Sequence, residues 1–169
     1  MRTYFAPSGR KSGAGLSADI SFAAADPLVQ ALLSFIRGLV AVLNEERQVL
    51  AVNDAFAASL GIDDHERQLG LRLGEMAGCV HSHDHEGGCG TGPYCPSCGA
   101  AVAMVSALAE DRPVERKCVI EVEDGESTRH LYFAVRADAL DQGGRRLLLL
   151  SMRDISREER RASLERAFF

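Results

Sequence analysis

The sequence predicts an α+β domain in which a five-stranded antiparallel sheet carries helices on one face. Residues 39–52 form two apolar stretches around a polar turn, which is typical of a β-hairpin. Residues 114–152 contain three further strand-like stretches, of which the first two alternate between apolar and polar side chains. Helix-forming residues lie between the two groups, above all in the alanine-rich segment 100–110. Two strands, a helical insert and three strands therefore give the order of elements.

Both ends of the chain fall outside this predicted sheet. Residues 1–25 are rich in Gly, Ser and Ala with little periodicity, so we expect a flexible N-terminal arm. Asp26 and Pro27 are typical of a helix start, and apolar residues follow at helical spacing up to Ile36. Residues 157–169 are highly charged and predict a C-terminal linker helix. The folded domain is therefore expected to span residues 26–156.

Composition excludes several classes of protein. The chain has 169 residues and is 46% hydrophobic, which is enough for one packed domain. Its net charge of −5 argues against a nucleic-acid-binding surface, which would be basic. There is no run of 18 apolar residues and no secretory signal at the start, so we expect no membrane span. We expect a cytoplasmic location, where thiols stay reduced.

A glycine-rich segment, residues 79–99, holds four of the five cysteines and is called the cysteine loop below. Thiolates are ligands for zinc and other soft or borderline metals, and a Cys-x-x-Cys pair brings two sulfurs to one ion. We predict that these four cysteines bind a metal: Cys79, Cys89, Cys95 and Cys98. The fifth, Cys118, lies in an alternating strand and is interpreted as an ordinary core residue.

The identity of the metal stays open at this point. Four thiolates suit tetrahedral zinc, and they equally suit an iron–sulfur cluster. The histidines of the loop favour zinc slightly, since His81 would be able to replace a cysteine, whereas His83 and His85 are interpreted as solvated residues. A disulfide framework would need an oxidising compartment, and a reversible disulfide between Cys95 and Cys98 is a further alternative.

Two short motifs resemble the PAS sensor domain. Asn53-Asp54-Ala55-Phe56 follows the first hairpin as Asn-x-Ala-Phe does in that family, and Met152-Arg-Asp-Ile-Ser156 resembles its Asp-Ile-Thr/Ser signature after the last strand. The resemblance covers about residues 27–156. It implies a PAS-like sheet and a signal-sensing role. No Ser/His/Asp arrangement or phosphate-binding glycine motif accompanies it, so we do not expect this chain to be an enzyme.

The cysteine loop resembles a cysteine-rich PAS variant of bacterial sensor histidine kinases, in which the Cys79-x-His81 pattern recurs. This resemblance implies a sensor fragment of a longer protein with an output kinase domain, and a homodimer formed through the N-terminal and C-terminal helices. The expected function is signal sensing with zinc or an iron–sulfur cluster in the loop. The alternatives are a thiol/disulfide redox switch, and a small-molecule-binding PAS module in which zinc is purely structural.

Overall fold

One antiparallel sheet organises the chain, which a computed structural model describes over residues 1–169. The strands lie side by side in the order β2-β1-β5-β4-β3. This arrangement confirms the predicted fold class and all five predicted strands. In chain order the strands are β1 (Leu39–Asn44), β2 (Val49–Val52), β3 (Val114–Asp124), β4 (Ser127–Gln142) and β5 (Arg145–Asp154).

Six α-helices accompany the sheet, and short 3₁₀ turns at Glu66–Gln68, Val80–His83 and Cys95–Ser97 connect some of them. No single helix is long and apolar enough to cross a membrane. Helices α1 and α2 together have the length and composition of a membrane span, but they are bent by 64° relative to each other. The helices are α1 (Gly13–Ala25), α2 (Pro27–Phe35), α3 (Asp54–Ser59), α4 (Leu73–Ala77), α5 (Gly99–Glu110) and α6 (Ser156–Phe168).

The main core lies between one face of the sheet and the helices that cover it, α3, α4 and α5. Phe56 of α3 and Met104 of α5 pack there with Phe133 and Leu150 of the sheet. Alanines dominate the buried side of α5, so this helix lies close to β3 and β4. Helix α5 begins at the end of the cysteine loop, and its packing therefore fixes the loop against the sheet.

A smaller cluster covers the opposite face of the sheet, where α1 and α2 pack near β1, β2 and β5. Val29 of α2 contacts this cluster together with Val42 and Leu50, all three of them buried. Helix α2 begins as predicted, since the Asp26 side chain accepts a hydrogen bond of 3.0 Å from the Val29 N–H. The N-terminal helices thus add a layer that the expected arrangement, with helices on one face, did not include.

The first 25 residues differ from the expected flexible arm, because they contain α1 and an extended segment with many contacts. Residues 1–11, called the N-terminal strap below, run beside the cysteine loop. The backbone N–H groups of Tyr4 and Ala6 donate to the carbonyl oxygens of Thr91 (3.0 Å) and Gly90 (2.9 Å). Ala6 is fully buried. The partners lie some 80 residues further along the chain, which local composition does not reveal.

Buried arginines hold the strap in place. Arg72 is 1% exposed and donates to the carbonyl oxygens of Gly9 (2.7 Å), Glu46 (2.9 Å) and Gly87 (2.9 Å). Burial lowers the pKa of Arg72 to about 10, and the neighbouring Arg47 and Arg10 act in the same direction. The guanidinium thus gives up hydration and in return links the strap, the β1–β2 turn and the cysteine loop.

An ion pair attaches helix α1 to the sheet. The Asp19 side chain is 6% exposed and accepts hydrogen bonds from Lys11 (2.8 Å) and Arg145 of β5 (3.0 Å). Burial opposes ionisation of Asp19, but these two cations outweigh it and hold its pKa below the usual value. This contact with a distant strand stabilises α1, whose own sequence has little helical periodicity.

Candidate metal centre

All four cysteines of the predicted site line one cavity of about 270 Å³ between the cysteine loop, α4, α5 and β3. His81 also lines it, and apolar side chains such as Met104 and Ile120 form the wall on the core side. The structure therefore brings together thiols that lie up to 19 positions apart in the chain. The lining cysteines are Cys79, Cys89, Cys95 and Cys98.

Local backbone geometry positions the first two cysteines. Helix α4 ends at Gly78 with a left-handed φ of 74°, and the Cys79 N–H then donates to the Gly74 carbonyl oxygen at 2.8 Å. The Gly74 N–H donates to the sulfur of Cys89 at 3.3 Å. A Cβ at Gly74 would lie only 2.8 Å from that sulfur, so a larger residue there would push Cys89 away.

The Cys95-x-x-Cys98 pair lies in the 3₁₀ turn that leads into α5. The Cys98 N–H donates to the Cys95 carbonyl oxygen at 3.1 Å, and Cys98 is the first capping residue of the helix. Gly99 brings the start of α5 against β3, since a Cβ there would lie 1.8 Å from the Lys117 carbonyl oxygen. The absence of a side chain at Gly99 therefore sets how closely Cys98 approaches the sheet.

A backbone N–H group donates to the sulfur of Cys89, since the Gly74 N–H bonds to it at 3.3 Å. Backbone N–H groups near Cys79 and Cys98 favour ionisation of these thiols, although burial outweighs them at Cys79. Donors close to sulfur favour the thiolate, which is the form that binds metals. The backbone of the loop thus opposes part of the cost that burial places on a thiolate.

The thiols differ in how readily they ionise without a bound cation. Burial raises the pKa of Cys89 to about 12 and also raises the pKa of Cys79. The pKa of Cys98 is lowered, chiefly by its hydrogen bond with Cys118 and then by N–H groups at the start of α5, although burial opposes this. A metal ion at the cavity would therefore have to displace protons from the buried thiols.

Cationic side chains flank the loop beside the N-terminal strap. Arg47 is 4% exposed, and its guanidinium lies 3.3 Å from the position that a Cβ on Gly90 would take. Arg72 donates to the Cys89 carbonyl oxygen at 3.3 Å. Both charges are buried, so their field is screened less than that of surface residues. They favour negative charge on the cysteine side of the cavity.

The three histidines of the loop have different surroundings. The Nδ1 atom of His81 lies 2.7 Å from an Asp84 carboxylate oxygen, its Nε2 lies 3.4 Å from Glu121, and its ring stacks on Tyr94. His83 is exposed. His85, interpreted from the sequence as solvated, instead contacts the loop backbone, because its Nδ1 accepts from the Gly87 N–H at 3.0 Å.

The thiols surround the cavity without converging on one point. No three His, Cys, Asp or Glu side chains of the chain are close enough together to hold a single metal ion. A tetrahedral zinc would need its sulfur ligands about 2.3 Å from a common centre. In this arrangement a single ion would require the side chains to move inward.

Cys118 is the residue near the site that sequence reasoning missed. Its sulfur lies 3.9 Å from that of Cys98, although it is 2% exposed and belongs to the main core. The alternating pattern of β3 correctly predicted a buried position. Only the close approach of α5 to β3 brings its thiol beside the cysteine loop, and a strand pattern gives no signal for that.

The fold is similar to solved PAS structures. The PAS domain of nitrogen regulation protein NR(II) from Vibrio parahaemolyticus is 14% identical with a TM-score of 0.53, covering 77% of this chain and 100% of that one. The PAS domain of BvgS from Bordetella pertussis is 17% identical with a TM-score of 0.51, covering 83% and 93%. An RNA-binding light-oxygen-voltage receptor is 16% identical with a TM-score of 0.55, covering 98% of this chain and 42% of that one.

The likeness confirms the predicted PAS-like sheet with its helices. No protein-family model matches the chain, and no curated protein matches it. Sequence identities of 14–17% establish a shared fold and nothing about ligands.

Proposed function

We propose that this chain is a signal-sensing PAS module whose cysteine loop binds a metal centre through Cys79, Cys89, Cys95 and Cys98. One observation carries the proposal: the four thiols line a single cavity, although nine residues separate the first two and five separate the next two. Cysteines that served only as small core residues would have no reason to face a common space. The Gly74 N–H, which donates to the sulfur of Cys89, supports the same interpretation.

An iron–sulfur cluster and a single zinc ion are the two proposed occupants of the cavity. A single ion would require the side chains to move inward, and a cluster is held by four thiolates around a larger body. The buried guanidiniums of Arg47 and Arg72 suit the negative charge that four thiolates carry. When bound, such a cluster supplies one-electron oxidation and reduction. Zinc remains the competing occupant, with His81 as a possible replacement for one thiol.

The chain's own residues prepare the site in two ways. Apolar residues of α5 and β3 exclude water from its inner wall, and the Gly74 N–H orients the sulfur of Cys89. The raised pKa of Cys89 means that this thiol holds its proton until a cation replaces it. Occupancy of the site should therefore decrease as the pH falls, because protons compete with the metal for the buried sulfurs.

A short route connects the site to the C-terminal helix. Gly99 contacts the backbone of Lys117, and the Lys117 ammonium lies 2.7 Å from Glu159 on α6. Ile155, which is buried, donates its N–H to the Tyr132 carbonyl oxygen of β4 at 2.9 Å. A shift of α5 relative to β3 would thus change the position of the first turn of α6. We propose that α6 passes this signal to an output kinase domain in a longer protein.

The proposed homodimer would cover apolar side chains that the single chain leaves exposed. On α6, Leu164 is 60% exposed and Phe168 is 81% exposed, and Phe35 at the end of α2 is 85% exposed. These residues lie on the N-terminal and C-terminal helices that the dimer is proposed to use. Burial of such side chains is the usual source of stability in helical interfaces.

The deciding experiment is purification without oxygen, followed by elemental analysis and visible absorption spectroscopy. Iron with labile sulfide and a visible band would support the cluster, and one colourless zinc per chain would support a structural role for the metal. Cys89→Ser should remove the bound metal. Cys118→Ala is the matched control, since it changes a cysteine outside the proposed ligand set, and it should retain the metal. A wild-type protein that binds neither iron nor zinc would overturn the proposal.

A further inference from the structure

Helix α5 and strand β3 meet at the end of the cysteine loop, and each carries a thiol there. Cys98 stands at the start of α5 and Cys118 in the middle of β3, and their sulfurs are 3.9 Å apart. Cys118 is 2% exposed, whereas Cys98 is partly exposed and lines the cavity. The pair therefore joins one proposed metal ligand to one thiol that the proposed centre does not use.

The backbone holds these two residues close together. A Cβ on Gly99, the residue next to Cys98, would lie 3.2 Å from the Cα of Cys118. A disulfide needs a sulfur–sulfur distance of about 2.05 Å with Cα atoms within about 7 Å. Helix and strand are already in contact at this point, so the two sulfurs need to approach each other by less than about 2 Å.

We propose that Cys98 and Cys118 form a reversible disulfide that removes Cys98 from the thiols of the cavity. The pairing itself rests on the geometry above, whereas its effect on a metal centre rests on the proposed function. The disulfide would attach the first turn of α5 to β3. A metal centre and this disulfide would then exclude each other, since both need the sulfur of Cys98.

The oxidation is balanced with a peroxide as the oxidant. The Cys98 thiolate attacks the peroxide O–O bond and forms a sulfenic acid and hydroxide. The sulfur of Cys118 then displaces the hydroxyl group, so the S–S bond forms, and its proton leaves with that group as water. Two thiols and one hydrogen peroxide become one disulfide and two waters. Cys98 reacts first because it faces the cavity, and buried Cys118 acts as the resolving thiol.

Peptide mapping provides the test. The full chain is reduced, freed of metal, treated with hydrogen peroxide, alkylated and digested with trypsin. Cleavage after Arg116 and Lys117 places Cys118 on a separate peptide from the other four cysteines. Wild type should yield a cross-linked peptide pair. Cys98→Ser should reduce it by about tenfold or more, while the matched variant Cys95→Ser should retain it. Circular dichroism verifies that each variant is folded.

Each outcome bears on a defined part of the proposal. A cross-link that persists in folded Cys98→Ser, or oxidation that joins only Cys95 to Cys98, overturns the pairing. Protein loaded with Zn²⁺ should form the cross-link about tenfold more slowly than the metal-free chain. Equal rates with bound Zn²⁺ would overturn the mutual exclusion. If elemental analysis finds no bound metal at all, the proposed function fails, and the peptide map of the metal-free chain still decides the disulfide.

Discussion

Replacing Arg72 with Met should both destabilise the domain and release the N-terminal strap. Met keeps an unbranched apolar side chain in the buried position but removes every hydrogen-bond donor. Three carbonyl oxygens lose short hydrogen bonds, those of Gly9, Glu46 and Gly87. The Gly9 carbonyl oxygen can bond to water if the strap moves away. The carbonyl oxygens of Glu46 and Gly87 belong to the β1–β2 turn and the cysteine loop, which the strap covers.

The expected magnitude follows from these three bonds. A buried carbonyl that loses its partner costs about 1–3 kcal/mol, and the bonds lost here come from a charged donor. Removal of the buried charge offsets part of this loss, because burial already disfavours the charged form of Arg72 and lowers its pKa to about 10. We expect a net decrease of about 3 kcal/mol in the free energy of unfolding.

Equilibrium urea unfolding under reducing conditions measures the loss, and hydrogen exchange locates it. The amides of Tyr4 and Ala6, which bond to the cysteine loop, should exchange about tenfold faster in Arg72→Met. The control is Arg67→Met. Arg67 is an exposed arginine paired with Asp64 at 2.9 Å, and its replacement should change stability by less than about 0.5 kcal/mol.

The reasoning fails if Arg72→Met unfolds within about 1 kcal/mol of wild type and the exchange of the strap amides is unchanged. That result would mean that the carbonyls find water without cost. A loss of stability with the strap still protected would instead show that Arg72 supports the loop but not the strap.

Three further predictions concern the supporting structure. Asp19→Asn should lower stability by about 1–2 kcal/mol at pH 7. Because the folded pKa of Asp19 is lowered, this difference should persist above about pH 4 and vanish as the pH falls through the folded pKa, which a series of urea midpoints from about pH 7 down to about pH 2 will show. Gly99→Ala should lower the free energy of unfolding by more than about 3 kcal/mol, because the new methyl group would push α5 away from the Lys117 carbonyl oxygen. The control Gly15→Ala adds a methyl group in open space on α1, and it should be neutral or stabilising in thermal unfolding. Asn53→Ala should cost about 1–2 kcal/mol in the same assay, since its side chain caps α3 and also binds β1.

Local sequence patterns predicted the elements that local forces determine. Interactions between residues close in sequence determine three such features. They are the alternation of β3 and β4, the hairpin of β1 and β2, and the helix start at Asp26-Pro27. The density of cysteines in one glycine-rich loop likewise indicated that the four thiols belong together. The structure brings them to one cavity, while the metal they are predicted to bind stays a prediction.

Tertiary contacts account for what the sequence did not reveal. Helix α1 has no clear apolar stripe, and it is fixed by Asp19, whose partners come from the strap and from β5. The strap depends on Arg72, which no pattern in residues 1–25 identifies. The thiol pair of Cys98 and Cys118 arises from the meeting of a helix start with a strand 20 residues away. Each of these features requires knowledge of which distant segments touch.

The position of the N-terminal strap also has a consequence for the order of events during synthesis. Residues 1–11 are translated well before Gly87, Gly90 and Thr91, to which the strap is bonded. Until then the backbone N–H groups of Tyr4 and Ala6 lack their partners, and Ala6 stays in water. The outer side of the cysteine loop is therefore covered late, after the loop itself has been translated. A substitution that disrupts the strap would act at this step, and should slow the final closure of the domain more than it weakens the sheet.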